Sequence, residues 1–187
     1  SVKAFEDSRV DEIILICGDG QVSYCREKIA EAYGFKKIKK IIEGGRERYD
    51  SVYKGLLATE QAGYVLIHDG ARPFISVSLI NEVIETVREY KACLVASPVK
   101  DTIKIVDENG IIKDTPDRKL LWAAQTPQAF EYSLIKEAYE SLFKSEESVR
   151  KRSTDDAMVY DMFVGLPVRV VKGDYYNIKL TTPEDLI

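Results

Sequence analysis

The chain has one histidine, one tryptophan and three cysteines, no long apolar run, no basic tract and no internal repeat. Each scarcity removes a class of function. A lone histidine, His68, leaves no second imidazole for a metal set. Three cysteines (Cys17, Cys25, Cys93) are odd in number and match no ligand spacing, so reduced, mostly buried thiols of a cytosolic protein are expected. Apolar runs of a handful of residues fall far short of the roughly 20 that a membrane helix needs, and no membrane association is expected. The 27 lysines and arginines are spread out against 31 acids, for a net charge of −4. No patch suits nucleic acid, and a phosphorylated substrate would depend on a few local cations.

What is present describes one α/β domain. The 187 residues match the roughly 100–200 expected of a single core. Ser1–Val10 has helical composition. Asp11–Cys17 is a buried strand ending in Gly18-Asp19-Gly20, and Val22–Gly34 is a helix stopped by glycine. Lys40–Glu43 is a short strand and Asp50–Ala62 a helix. Tyr64–Ile67 is expected to be a buried parallel strand. Ser78 caps a helix whose buried stripe is Leu79, Ile80, Val83, Ile84 and Val87, and Ala92–Pro98 follows as a strand. Strand alternating with helix this far is the signature of parallel βαβ units.

The period then changes. Thr102–Val106, a turn at Asn109-Gly110 and Ile111–Thr115 spell a hairpin. It has little core of its own and is expected to project as an arm over residues 102–118. Leu120–Phe130 brings the chain back to the sheet, and Ser133–Phe143 is helical. Lys144–Ser153 is expected to be a charged, disordered loop. Thr154 caps a helix carrying Met158, Val159, Met162 and Phe163, and Val168–Val171 is a last strand. Thr181–Asp185 opens another helix. The first element being a helix remnant and the last only begun, residues 1–187 are expected to be one domain truncated at both ends.

Polar clusters collect where strands end. Tyr64–Ile67 runs into His68-Asp69-Gly70-Ala71-Arg72-Pro73, and ligands of open α/β sheets bind beyond such carboxyl ends. Asp69 suits a divalent cation or a hydroxyl proton, and Arg72 offers a planar fork for phosphate. Gly44-Gly45-Arg46-Glu47-Arg48-Tyr49-Asp50-Ser51 joins strand to helix, where exposed N–H groups can receive a nucleotide. Each cluster alone has an ordinary explanation: a surface ion pair, a glycine turn, a helix cap, a strand-end hydrogen bond at His68.

Together they form an order that chance does not produce. Gly-Gly-x-Glu-Arg-x-x-Ser, His-Asp-Gly-Ala-Arg-Pro, Lys100-Asp101-Thr102, Thr115-Pro116-Asp117-Arg118, Trp122-Ala-Ala-Gln-Thr-Pro-Gln128, Thr154-Asp155-Asp156-Ala157 and Asn177-Ile-Lys-x-Thr-Thr-Pro-Glu-Asp185 closely resemble the 2-C-methyl-D-erythritol 4-phosphate cytidylyltransferase family of the non-mevalonate isoprenoid pathway. The resemblance runs from about Asp11 to Leu186. It implies a Rossmann-like, mostly parallel sheet with helices on both faces. It also implies a cytoplasmic (or, in plants, plastid) homodimer joined by the hairpin arm, and Mg²⁺-dependent transfer of CMP from CTP to the sugar phosphate.

The resemblance also implies roles. Gly44, Gly45, Arg48 and Ser51 would read the nucleotide, with Asp69, Gly70 and Ala71 near its ribose. Asp69 would hold the metal, and Arg72, Thr102, Arg118, Thr126 and Thr154 would bind the acceptor. Lys179 would neutralise the α-phosphate. The family's glycine-rich triphosphate loop, which precedes these motifs, has no counterpart here. The alternatives are a ribitol-5-phosphate cytidylyltransferase and a catalytically inactive nucleotide-binding or dimerisation module. Asp69–Arg72 and Leu121–Gln125 look more like the methylerythritol enzyme.

Overall fold

The computed structural model describes residues 1–182 and Asp185. Helix α1 (Val2–Asp7) leads to β1 (Ile13–Cys17). The crossover that follows is not one regular helix. It is α2 (Val22–Cys25) continued by a π-helical turn over Arg26–Glu31, and Gly34 ends it at φ 63°. Arg26–Glu31 has no buried residue, so no packed stripe holds it to the 3.6 period. The chain then enters β2 (Ile38–Glu43), which lies parallel to β1.

Helix α3 (Arg48–Ala58) starts earlier than its expected Asp50 because Glu47 and Asp50 form a reciprocal capping box. Next come β3 (Tyr64–Ile67), α4 (Val77–Tyr90) and β4 (Ala92–Pro98). The cap of α4 is Ser76 rather than Ser78: its hydroxyl accepts the Leu79 N–H at 3.2 Å. The stripe expected on α4 is buried as written, at about 1.5–3 kcal/mol for each large side chain.

A short hairpin of β5 (Ile105–Val106) and β6 (Ile112–Asp114) follows, turning at Gly110 with φ 78°. Its strands are exposed. The remainder is β7 (Trp122–Glu131), α5 (Tyr132–Lys144), α6 (Glu147–Arg152), α7 (Asp156–Phe163) and β8 (Arg169–Lys172). Where a disordered loop was expected, α6 forms. Glu147 in its first turn and Arg150, Lys151 and Arg152 in its last complement the helix dipole. Asp155, not Thr154, caps α7 by accepting the Met158 N–H at 2.9 Å. The helix opening expected over Thr181–Asp185 includes Pro183 and Glu184, which lie outside the described residues.

The larger sheet has the order β3-β7-β4-β8. Strands β3, β4 and β8 share one direction, and β7 runs against them. The architecture is therefore α/β with a mostly parallel arrangement. The expectation that Tyr64–Ile67 is buried among parallel neighbours is corrected: it is at most half-buried, and its hydrogen-bonded neighbour is antiparallel β7. A strand returning from a hairpin enters from the opposite end of the sheet, which fixes that reversal.

Alternation along the strands sends side chains to two cores. Ala92 and Leu94, Phe130, and Val65 and Ile67 face the core under α3, α5 and α7. Cys93 and Val95, Ala129 and Leu66 face the one under α4. Helices accordingly cover both faces. The three cysteines are free thiols, and burial pushes Cys93 up to about 12. Among the described residues no helix is long and apolar enough to cross a membrane.

Candidate active site

Asp69 follows the last residues of β3, and three cations converge on it. Its Oδ1 accepts from Arg48 Nε at 3.2 Å and its Oδ2 from Lys179 Nζ at 2.9 Å, while Arg72 Nε stands 3.9 Å from Oδ2. Burial alone would raise the Asp69 carboxyl. The hydrogen bond from Lys179 and the charge of Arg48 outweigh it, so the group is held below the usual carboxylate value. An ionised carboxylate thus sits under cations supplied by α3, the loop after β3 and the loop after β8.

The backbone beneath it is fixed by one directional chain of hydrogen bonds. Asp69 N–H donates to Thr126 Oγ1 (3.1 Å), and Thr126 Oγ1 lies 3.0 Å from His68 Nδ1. His68 Nε2 lies 3.2 Å from the Arg72 carbonyl. The order is satisfied when Thr126 donates to Nδ1 and Nε2–H donates to Arg72, which requires a neutral imidazole. Burial agrees, lowering His68 to about 4.

A pH dependence follows from that shift. Between pH 6.5 and about 4 the unfolded chain holds a proton on His68 that the folded chain refuses, so acidification through this window should cost stability, up to about 3 kcal/mol. Because His68 is the only histidine, His68→Gln should flatten the fall of Tm over that range. Equal slopes for both proteins would show that His68 is not buried neutral.

The loop carrying Lys179 is pinned from below. Asn177 is buried and its amide donates to Gln125 Oε1 (3.2 Å) and to the Thr126 carbonyl (3.0 Å). Its own carbonyl accepts from Arg72 Nη1 at 2.7 Å, and Leu180 N–H reaches the Ala71 carbonyl at 2.8 Å. Gly70 and Ala71 stay exposed beside these contacts.

On the other side, Gly44-Gly45 closes against the start of α3. A Cβ on Gly45 would collide with Asp50 of the capping box, and one on Gly44 would come within 2.6 Å of Ser51 Oγ. Both positions therefore need glycine. Ser51 Oγ accepts the Gly45 N–H at 2.9 Å and lies 3.2 Å from the Glu47 carbonyl.

Of the residues singled out from sequence, Arg48, Asp69, Arg72, Thr126 and Lys179 form one connected group. Thr126 is buried, its hydroxyl shared between Asp69 and His68. Thr102, Arg118 and Thr154 are exposed, and among the described residues no hydrogen bond joins them to that group. Arg118 donates to the Lys100 carbonyl at 2.8 Å. Sequence reasoning missed Asp156, Gln125 and Gln128. Gln128 bridges Asp155 Oδ2 (3.0 Å) and Ala157 N–H (2.8 Å), and only its place in the Thr-Pro-Gln motif hinted at a role.

Among the described residues no group of three His, Cys, Asp or Glu side chains could hold a metal by itself. Asp69 offers one hard, ionised carboxylate. A single hard carboxylate fits a divalent cation only where other ligands, such as phosphates and water, complete the set.

The α/β fold thus gathers an ionised carboxylate and three cations at the carboxyl end of β3, where ligands of such sheets bind. The family model described as IspD, 2-C-methyl-D-erythritol 4-phosphate cytidylyltransferase, matches residues 1–187. The chain belongs to this family, and so to the nucleotidyltransferases. A 2-C-methyl-D-erythritol 4-phosphate cytidylyltransferase of Lachnoclostridium phytofermentans is 49% identical over the whole chain and 79% of its own length. One from Lachnospira eligens is 50% identical, over all of this chain and 81% of that protein. The crystal structure of 4-diphosphocytidyl-2C-methyl-D-erythritol synthase from Anaerococcus prevotii is 36% identical and covers 99% of this chain and 80% of that one, at a TM-score of 0.90. The Thermus thermophilus enzyme, 29% identical, covers 99% and 82% at 0.76.

Proposed function

We propose that the chain moves CMP from CTP onto 2-C-methyl-D-erythritol 4-phosphate, giving 4-diphosphocytidyl-2-C-methyl-D-erythritol and pyrophosphate. The observation that carries the reading is the ionised Asp69 shared by Lys179 and by Arg48, the residue that opens α3 just after Gly44-Gly45. An oxygen of the acceptor phosphate attacks the α-phosphorus, the new P–O bond forms, and the α–β bond breaks with its electron pair leaving on pyrophosphate. No protein nucleophile is needed; positioning and charge supply the rate.

Each residue has a part in that chemistry. Gly44, Gly45, Arg48 and Ser51 receive the nucleotide, and Gly70 and Ala71 give its ribose access to the backbone. Lys179, exposed beside Asp69, neutralises charge growing on the α-phosphate. Arg72, Arg118, Thr102 and Thr154 bind the acceptor, and Thr126 sets the Asp69 backbone beneath it. Asp69 is the residue to hold Mg²⁺, which when bound would offset the phosphates' charge. The hairpin leaves Ile105, Val106, Ile111 and Ile112 exposed, an apolar surface suited to a second copy of the chain in a cytoplasmic homodimer.

Base choice tests the nucleotide assignment. A site whose buried donors are matched to cytosine leaves them unpaired with other bases, so kcat/KM should favour CTP over UTP and ATP by about 10² or more. Equal use of UTP would sink the assignment. Running the assay with ribitol 5-phosphate alongside should give pyrophosphate release only with the methylerythritol acceptor.

A further inference from the structure

Helix α7 begins with a carboxylate that the reaction as described does not use. Asp156 is fully buried. Its Oδ1 accepts from Arg48 Nη1 at 3.0 Å and its Oδ2 from Nη2 at 2.6 Å, and the phenol of buried Tyr139 donates to Oδ1 at 2.6 Å. Capping does not account for it, since Asp155 does that work. A buried carboxylate is costly, and structures often gain stability when such an ion pair is replaced by apolar groups.

A guanidinium has two edges on which a carboxylate can dock with both oxygens, Nη1–Nη2 and Nε–Nη2. Asp156 grips the first edge with one hydrogen from each Nη, which fixes where the guanidinium lies. In that position Asp69 meets Nε through Oδ1 alone at 3.2 Å, and among the described residues Nη2 makes no hydrogen bond to it. That leaves Oδ2 to Lys179 at 2.9 Å. With no anion at position 156, Arg48 would be free to turn its fork onto both oxygens of Asp69 and compete with Lys179 there.

We propose that Asp156, steadied by Tyr139, is a positioning residue for the nucleotide site. It holds Arg48 so that Asp69 is shared, not captured. The inference rests on the reading that Arg48 and Asp69 act on the nucleotide.

A double-mutant cycle in the complete gene product tests it. Asp156→Asn should lower kcat/KM for CTP by about 10- to 100-fold, the scale of a lost hydrogen bond to a charge. Arg48→Ala should fall comparably, and the double variant should be no worse than either alone, because one residue acts through the other. Asp156→Glu should recover part of the loss. Tyr139→Phe should fold and lose about threefold, and that loss should vanish in the Arg48→Ala background; it decides the matter if Asp156→Asn does not fold. Independent, multiplying effects, or an Asp156→Asn enzyme with lowered Tm but normal kcat/KM, would overturn the proposal. Normal kcat/KM in Arg48→Ala would instead overturn the reading of the nucleotide site itself, and this inference with it.

Discussion

Asp69→Ala is expected to lower kcat by about 10² to 10³ while leaving KM for CTP close to its starting value. The magnitude is that of removing one preorganised charged group from a site where charge develops in the transition state. The split between the two constants follows from what remains. Arg48, Arg72 and Lys179 keep their charges once their shared carboxylate is gone, so the triphosphate still meets a cationic site. What disappears is the hard oxygen for a metal and the anion that fixes where the cations stand. Stability should shift as well. The depressed Asp69 value means that its ion pairs contribute above pH 3.8 and are lost as the pH falls through the lower folded value. At neutral pH the variant should therefore melt somewhat lower than the parent. Steady-state kinetics at several CTP concentrations, with melting curves, separate these effects. An unchanged kcat would remove Asp69 from the chemistry.

The line that carries Asp69 was readable because an apolar run ending in polar residues is what a strand leaves at its edge. The α4 stripe was readable because burial enforces the helical period. Arg48 and Asp156 were not readable as a pair: 108 positions separate them, and no periodicity links a helix start to a carboxylate in another helix. The Thr154-Asp155-Asp156 trio even misdirects. It spells a cap, Asp155 performs it, and the next residue turns inward to Arg48 and Tyr139. The direction of β7 was equally hidden, because alternation is the same read in either direction. Gln125 and Gln128 became meaningful, and Thr126 gained its partners, only once β7 lay between β3 and β4, which brings Thr126 against His68 and Gln128 against α7.

Mixing two dead enzymes should give a live one. Arg118 follows the β5–β6 hairpin, is exposed, and within its own chain donates to the Lys100 carbonyl rather than to any group around Asp69. Lys179 lies beside Asp69 in the same chain. If the hairpin crosses a dimer interface, each site is built from one subunit's Lys179 and the partner subunit's Arg118. Arg118→Ala and Lys179→Ala, each in the complete gene product, should then be nearly inactive as homodimers, since each lacks a cation facing phosphate. In a heterodimer one site collects both substitutions and the other collects neither. Co-refolded subunits carrying different affinity tags, purified through both, should regain one working site per dimer, with KM values matching the parent. If both residues serve the same subunit's site, every site keeps one defect and mixing restores nothing. Heterodimers that are folded, bind CTP and stay inactive would refute the exchange of Arg118 between subunits.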